Sequence, residues 1–272
     1  MPTIRQRLGQ FWILIAALFT GGIHAQTTTY AGISGATLLD AGVMVVDDTG
    51  RFARTESFEY LRRSDGGMTL LNTIHAKDGR YRVRGRFDYD AGWNAVSAAG
   101  IGLYDDQIVN ITLHRRDDIA AIRVDSGEQT LAHTAVCKPD CLLNMSPSAL
   151  AMFTMTRHYD QSRGGEQLFR WAGQDLDRVR TLSGGTATLS YLGQESIEWG
   201  NSRSIAIRHY TFVETFPTED GGTFSLNFDL WTDNSERPMG FRVLSPGGAP
   251  GGIVGFRQGF EDVRNTLTAV HQ

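Results

Sequence analysis

The sequence predicts a mainly β protein, a single curved antiparallel β-barrel or half-barrel with one substantial helix. Period-two alternation of apolar and polar residues dominates the chain, as a half-buried strand requires. Turn clusters interrupt it at spacings of roughly 8–14 residues, which suits a strongly curved sheet. One apolar segment breaks the alternation and carries helical spacing instead.

The first residues, "MPTIRQRLGQFWILIAALFTGGIHAQ", place two arginines before an apolar run from Phe11 to Phe19 and a small-residue exit. This is the layout of a secretory signal peptide, with cleavage expected after Ala25. The run is short for a bilayer span, which wants about 20 residues. No cysteine follows it, so a lipid anchor is not expected. Residues 26–272 are then expected as one exported, periplasmic or secreted domain that is not an integral membrane protein.

Strands are expected at 66–75 and in "RYRVRGRFDYD". Here Tyr81, Val83, Phe87 and Tyr89 alternate with Arg80, Arg82, Arg84 and Arg86. One face is apolar and the other charged. The arginine row could meet an anionic headgroup or polysaccharide, or be simply the solvated outer face of a strand. "DAGWN" turns the chain, and residues 95–104 return as a strand lightened by Gly100 and Gly102. "QIVNITLHRR", "IAAIRVD" and 128–135 continue the series.

"VCKPDCLL" holds the two cysteines, Cys137 and Cys141. In an oxidising compartment they form a small disulfide loop around a Lys-Pro-Asp turn. Their three-residue gap differs from the two-residue gap of thioredoxin-type motifs, and two cysteines make a poor zinc site. In "NMSPSALAMFTMTRHYD", Ser146 can cap a helix with Pro147 at its first position. A helix over about 147–157 aligns Leu150 and Phe153, with Met152 and Met155 beside them, and reads as a plug or lid against the sheet. Further strands are expected at 167–172, 186–192 and 194–199, and "SPGGAPGGIVG" (245–255) as a flexible or mouth loop.

Composition excludes some classes of function. Loss of Arg5 and Arg7 with the leader leaves 24 basic residues against 30 acidic, a net charge of −6. Nucleic acid is therefore not expected as a partner, since phosphate binding needs a basic surface. There is no Gly-x-Ser-x-Gly elbow and no phosphate loop. His75, His114 and His133 show no metal spacing, and no metal or other cofactor is expected.

The richest stretch for chemistry is "AIRHYTFVETFPTEDGGTFSLNFDLWTD", residues 206–233, which reads as a hairpin. With a loop at 217–222, Tyr210 faces Asp229, Arg208 faces Trp231 and Phe212 faces Asn227. The other face carries Ile205, Ile207, His209 and Thr211 against Leu226, Phe228 and Leu230. A Tyr–Asp contact could move a proton, since a carboxylate can tune a phenol. His209, Tyr210 and Asp229 are thus the candidate catalytic groups, and Arg208, Trp231, Phe228 and His158 the candidate ligand contacts. His158, with Tyr159 and Asp160, lies just past the helix. Each group also has a plain structural reading: a satisfied interior histidine, a solvated sheet face, an electrostatically balanced helix end.

The run "GRYRVRGRFDYDAGWNAVSAAGIGLYDDQIVNITLHR", with Tyr81-Arg82-Val83, Asp90 and Trp93, loosely resembles the glycolipid-binding family of bacterial proteins. The later "HYTF", "DLWTD" and "RPMGFRV" are similar to strands of LolA/LppX-type periplasmic carriers. The resemblance implies a curved sheet wrapped around helices and an apolar cavity for a lipid or other amphiphile. Binding of a hydrophobic or amphiphilic small molecule is the leading expectation. The alternative is a cofactor-free isomerase, lyase or hydrolase acting on a hydrophobic substrate in the same cavity.

Overall fold

The computed structural model describes residues 28–260, apart from 31–32, 49–50, 105–106, 128, 139–140, 147, 176–183, 200–202, 218–220 and 245–249. The expected leader and its cleavage point lie outside the described residues. The chain forms β1 (Thr28–Tyr30), β2 (Ile33–Asp48), β3 (Arg51–Arg62), β4 (Met68–Ala76), β5 (Tyr81–Tyr89), β6 (Ala95–Tyr104), β7 (Gln107–Arg116) and β8 (Ile119–Ser126). It continues through β9 (Gln129–Val136), β10 (Leu142–Ser146), a short helix α1 (Leu150–Phe153), the one α-helix among the described residues, and a 3₁₀ turn (Thr154–His158). The last strands are β11 (Glu166–Asp175), β12 (Gly185–Trp199), β13 (Arg203–Pro217), β14 (Thr223–Asp233), β15 (Pro238–Leu244) and β16 (Pro250–Arg257).

All strands join one sheet, in the order β10-β11-β12-β13-β14-β15-β16-β2-β3-β4-β5-β6-β7-β8-β9, with β1 added on β2. Every join is antiparallel except β10 with β11. The sheet curves around the core without closing, so the half-barrel with one helix is what the sequence predicts. Its two edge strands, β9 and β10, are consecutive in the chain. The Cys137–Cys141 disulfide, with a Cα separation of 5.1 Å, lies where the chain crosses from one edge to the other.

The alternation in β5 to β8 survives as drawn. Val83, Phe87, Val109, Ile111, Leu113, Ile122 and Val124 are buried, while the intervening side chains face outward. The light residues of β6 have a packing reason. A Cβ on Gly100 would stand 3.1 Å from Met145 Sδ, so β10 crosses the inner face of β6 where side chains are missing.

The plug is shorter than the sequence predicts, four α-helical residues and one 3₁₀ turn in place of 147–157. The proposed Ser146 cap is also displaced, because the backbone is still strand at Ser146. Ser148 Oγ instead accepts from the Leu150 N–H at 3.3 Å. Glu56, fully buried on β3, accepts from Ser148 Oγ at 2.5 Å, Asn72 Nδ2 at 2.7 Å and the Ala149 N–H at 3.2 Å. Burial raises the Glu56 pKa, against the pull of these donors. Leu150 to Met155 are all buried in the core. A carboxyl from the sheet thus pins the start of an apolar plug, together with Ser148, while the N-cap residue itself, Ala149, has no side chain to cap with.

Two further expectations are corrected. Residues 250–255 of the glycine-rich "SPGGAPGGIVG" belong to β16, paired with β15 and β2, so that part is not a flexible loop. The 206–233 hairpin is shifted by one residue, because Pro217 pairs with Thr223 and the loop has five residues rather than six. Tyr210 therefore faces Leu230, His209 faces Trp231, Arg208 faces Thr232 and Asp229 faces Thr211.

Candidate functional site

The one-residue shift divides the hairpin's candidate residues between two faces. Tyr210 and Phe228 belong to the buried inner core. Tyr210 sits 5.9 Å from Tyr159 and 5.3 Å from Tyr191, ring centre to ring centre. Burial raises its phenol pKa, with the Arg208 guanidinium pulling the other way. Tyr210 and Asp229, the expected acid–base pair, are on opposite faces.

The outer face brings His209, Asp229 and Trp231 together. His209 Nε2 donates to Asp229 Oδ1 at 3.1 Å. Trp231 stacks on the His209 ring at 5.0 Å and 22°. Arg242 on β15, which no sequence pattern singles out, pairs with Asp229 through Nε at 3.0 Å and through Nη2. Glu195 Oε1 approaches His209 Nδ1 at 3.7 Å. Asp229 and Arg242 are 3 % and 2 % exposed. Burial alone would raise the Asp229 pKa, but its bonds from His209 and Arg242 outweigh this and hold it below the usual value. Such a clamped carboxylate is a poor base. The cluster has two titratable groups in hydrogen-bond reach, yet they do not line the cleft described next.

That cleft, of about 350 Å³, is lined by Leu39, Asp40, Tyr60, Arg62, Met68, Trp93, Arg157, Ser235, Arg237 and Pro238. It gathers residues from the middle of β2, from the ends of β3, β4 and β15, from the β5–β6 and β14–β15 turns, and from the 3₁₀ turn. Tyr60 and Met68 are buried and form an apolar floor continuous with the core. The Tyr60 hydroxyl donates to the Leu150 carbonyl at 3.3 Å, tying that floor to the plug. Burial, then neighbouring Tyr89, drives the Tyr60 phenol well above its ordinary pKa, so it stays neutral.

Trp93 owes its position to the turn the sequence predicts. Asp90 Oδ1 accepts from the Gly92 and Asn94 N–H groups, both at 2.9 Å, and closes the turn. Trp93 itself is forced to φ 65°, which bulky residues adopt at a cost of order 1 kcal/mol. Its ring packs against Tyr60 at 6.0 Å and Tyr89 at 5.8 Å. Arg157 covers the ring at 4.0 Å, a cation–π contact. His158 Nε2 donates to the Trp93 carbonyl at 3.0 Å. His158 therefore braces the cleft from behind rather than lining it. Arg208 is further back still, 3.6 Å from Glu236, which accepts from Arg157 at 3.0 Å.

No family model matches the chain, and no curated protein matches it. Two solved structures are distantly similar to it. A DUF1089 family protein from Pseudomonas aeruginosa is 14% identical, with 69% of this chain and 88% of that one covered and a TM-score of 0.37. A Bacteroides fragilis protein with a YmcC-like fold is 6% identical over 80% of this chain and 93% of that one, with a TM-score of 0.34. At those scores the likeness carries nothing further about this chain.

Among the described residues no group of three or more His, Cys, Asp or Glu side chains is placed to hold a metal ion. No helix there is long and apolar enough to cross a membrane.

Proposed function

We propose that the protein binds an amphiphilic small molecule at the mouth of the half-barrel, with the apolar part against Tyr60, Met68 and Trp93. The single observation that supports this reading is the cleft itself. Its volume falls within the range of small-molecule sites, and an apolar floor with a polar rim is what such sites present. A tryptophan held in a strained backbone conformation at its wall is a further sign, since strain of that kind tends to cluster at ligand clamps. Export of the mature chain to the periplasm or beyond is part of the same reading and rests on the N-terminal sequence.

The enzyme reading has one observation in its favour, the His209–Asp229 contact. It is weaker, because Asp229 is committed to Arg242 and the pair stands apart from the cleft. Stabilisation of the sheet's outer face accounts for that cluster.

Bromine on an acyl chain quenches a tryptophan it touches. Titration with a dibrominated fatty acid should quench part of the tryptophan fluorescence saturably in the unmodified protein. That saturable component should vanish in Trp93→Phe, while the other three tryptophans of the exported chain, Trp171, Trp199 and Trp231, remain. Absence of any saturable quenching would reject amphiphile binding. Equal quenching in Trp93→Phe would move the site elsewhere.

A further inference from the structure

We infer that the polar head of the amphiphile is an anion, a phosphate or a carboxylate, seated against Arg62 and Arg237 beside the Arg157–Trp93 stack. The inference rests on the amphiphile reading above and goes beyond it by fixing the head's charge.

The charged residues lining the cleft are three arginines (62, 157 and 237) and one carboxylate, Asp40, a balance of +2. Adding their direct ion-pair partners, Arg257, Asp233 and Glu236, leaves +1, on a chain whose overall charge is −4. All three carboxylates are already engaged. Asp40 accepts from Arg257 Nη1 at 2.8 Å and from Nη2 at 2.6 Å. Asp233 accepts from Arg237 Nε at 2.6 Å and from the Ser235 and Arg237 N–H groups, both at 2.9 Å. Glu236 is shared by Arg157 and Arg208.

Donors are left over where acceptors are not. Arg62 is exposed and has no carboxylate partner among the described residues. The Arg237 side chain is half exposed and spends Nε and Nη2 on Asp233, which leaves Nη1 for a ligand. Arginine forks suit the planar or tetrahedral oxygens of carboxylate and phosphate. A cationic head would meet the surplus charge unfavourably. An uncharged sugar would use the hydrogen bonds but not the field. The fold therefore sets an apolar floor next to a rim with spare guanidinium groups, which matches an anionic head joined to an apolar tail.

The test is calorimetric titration below the micelle concentration with dodecyl phosphate, laurate, dodecyl maltoside and inorganic phosphate. The protein is the full exported chain and its Arg62→Gln/Arg237→Gln variant, with thermal melting to confirm that the variant is folded. Both side chains are at the surface, so it should be. Dodecyl phosphate or laurate should bind roughly tenfold more tightly than dodecyl maltoside, the scale of one partly solvated charged contact. The double variant should lose that preference, its affinity for the two anionic probes falling further than its affinity for dodecyl maltoside. A preference for dodecyl phosphate over laurate would assign the head to a phosphate, and the reverse to a carboxylate; either upholds the inference. Equal binding of all three dodecyl compounds would overturn the anion assignment and leave the amphiphile reading standing. Inorganic phosphate binding as tightly as dodecyl phosphate would overturn the amphiphile reading and keep the anion site. Binding of none of the four would overturn both.

Discussion

The Arg157 guanidinium stands 4.0 Å from the centre of the Trp93 ring, and its neighbour His158 donates to the Trp93 carbonyl at 3.0 Å. Two consecutive residues of the 3₁₀ turn thus hold one tryptophan from a turn far earlier in the chain. The plug is linked to the sheet at Glu56 and to the mouth at Trp93, so the cleft wall and the buried core are mechanically one object.

Trp93 separates binding from stability. At φ 65° glycine is comfortable and tryptophan is not. Trp93→Gly relieves the strain but gives up the Arg157, Tyr60 and Tyr89 contacts. These effects oppose each other, so stability should change by no more than about 1 kcal/mol. Affinity for a dodecyl probe should fall at least about tenfold. Denaturant melts and titrations on one preparation check both, and an unchanged affinity would place the ligand off Trp93.

Asp229 and Arg242 make an opposite case. With both buried, Asp229→Asn leaves a guanidinium without its counter-charge, at a cost of about 3–5 kcal/mol. Replacing both, as Asp229→Leu with Arg242→Met, should recover much of that loss. A double-mutant cycle by urea unfolding measures it. A neutral Asp229→Asn would show that the carboxylate is not structural and would revive the enzyme reading.

Glu214 gives a pH signature. Burial raises its pKa from 4.5 to about 7, despite the Asn144 amide donating to it at 3.3 Å. The folded protein then keeps a proton that the unfolded chain releases near pH 4.5. Stability from this group is full below about pH 4.5 and falls as pH rises through 7, by roughly 3 kcal/mol. Glu214→Gln should flatten that part of the profile. A wild-type profile already flat between pH 5 and 7 would contradict the assignment.

The disulfide joins the chain where it crosses between the two sheet edges, but its loop is short. Cys137→Ser with Cys141→Ser should lower stability by about 2 kcal/mol on loop entropy. Ligand affinity should be unaffected, because neither cysteine lines the cleft. Free thiols in exported protein, read by intact mass, would remove the premise.

How much of this was legible depends on where the alternation is unbroken. β6 and β7 have the boundaries the sequence predicts, and β5 and β8 differ from them by a residue, because each inward residue is apolar and each turn is polar. β2 and β3 were not anticipated. Their pairing has irregularities between Leu38 and Asp40 and between Val46 and Asp47, and each resets which parity faces inward. The hairpin at 206–233 was recognised, yet a loop one residue shorter exchanged its faces. That error put Tyr210 with Asp229 and hid Arg242. The cleft was the least legible part. Trp93 at the end of its "DAGWN" turn was legible only as part of the family resemblance, and Tyr60, Met68, Arg157 and Arg237 meet it only through the curvature of the sheet.

Photo-crosslinking tests the central claim most directly. A diazirine fatty acid should be bound, irradiated and mapped by peptide mass spectrometry, with and without excess laurate. Labels that laurate displaces should fall on the peptides carrying Tyr60, Met68, Trp93 and Arg157. Displaceable labels confined to the outer face around Trp231, or no displaceable label at all, would contradict binding at the mouth.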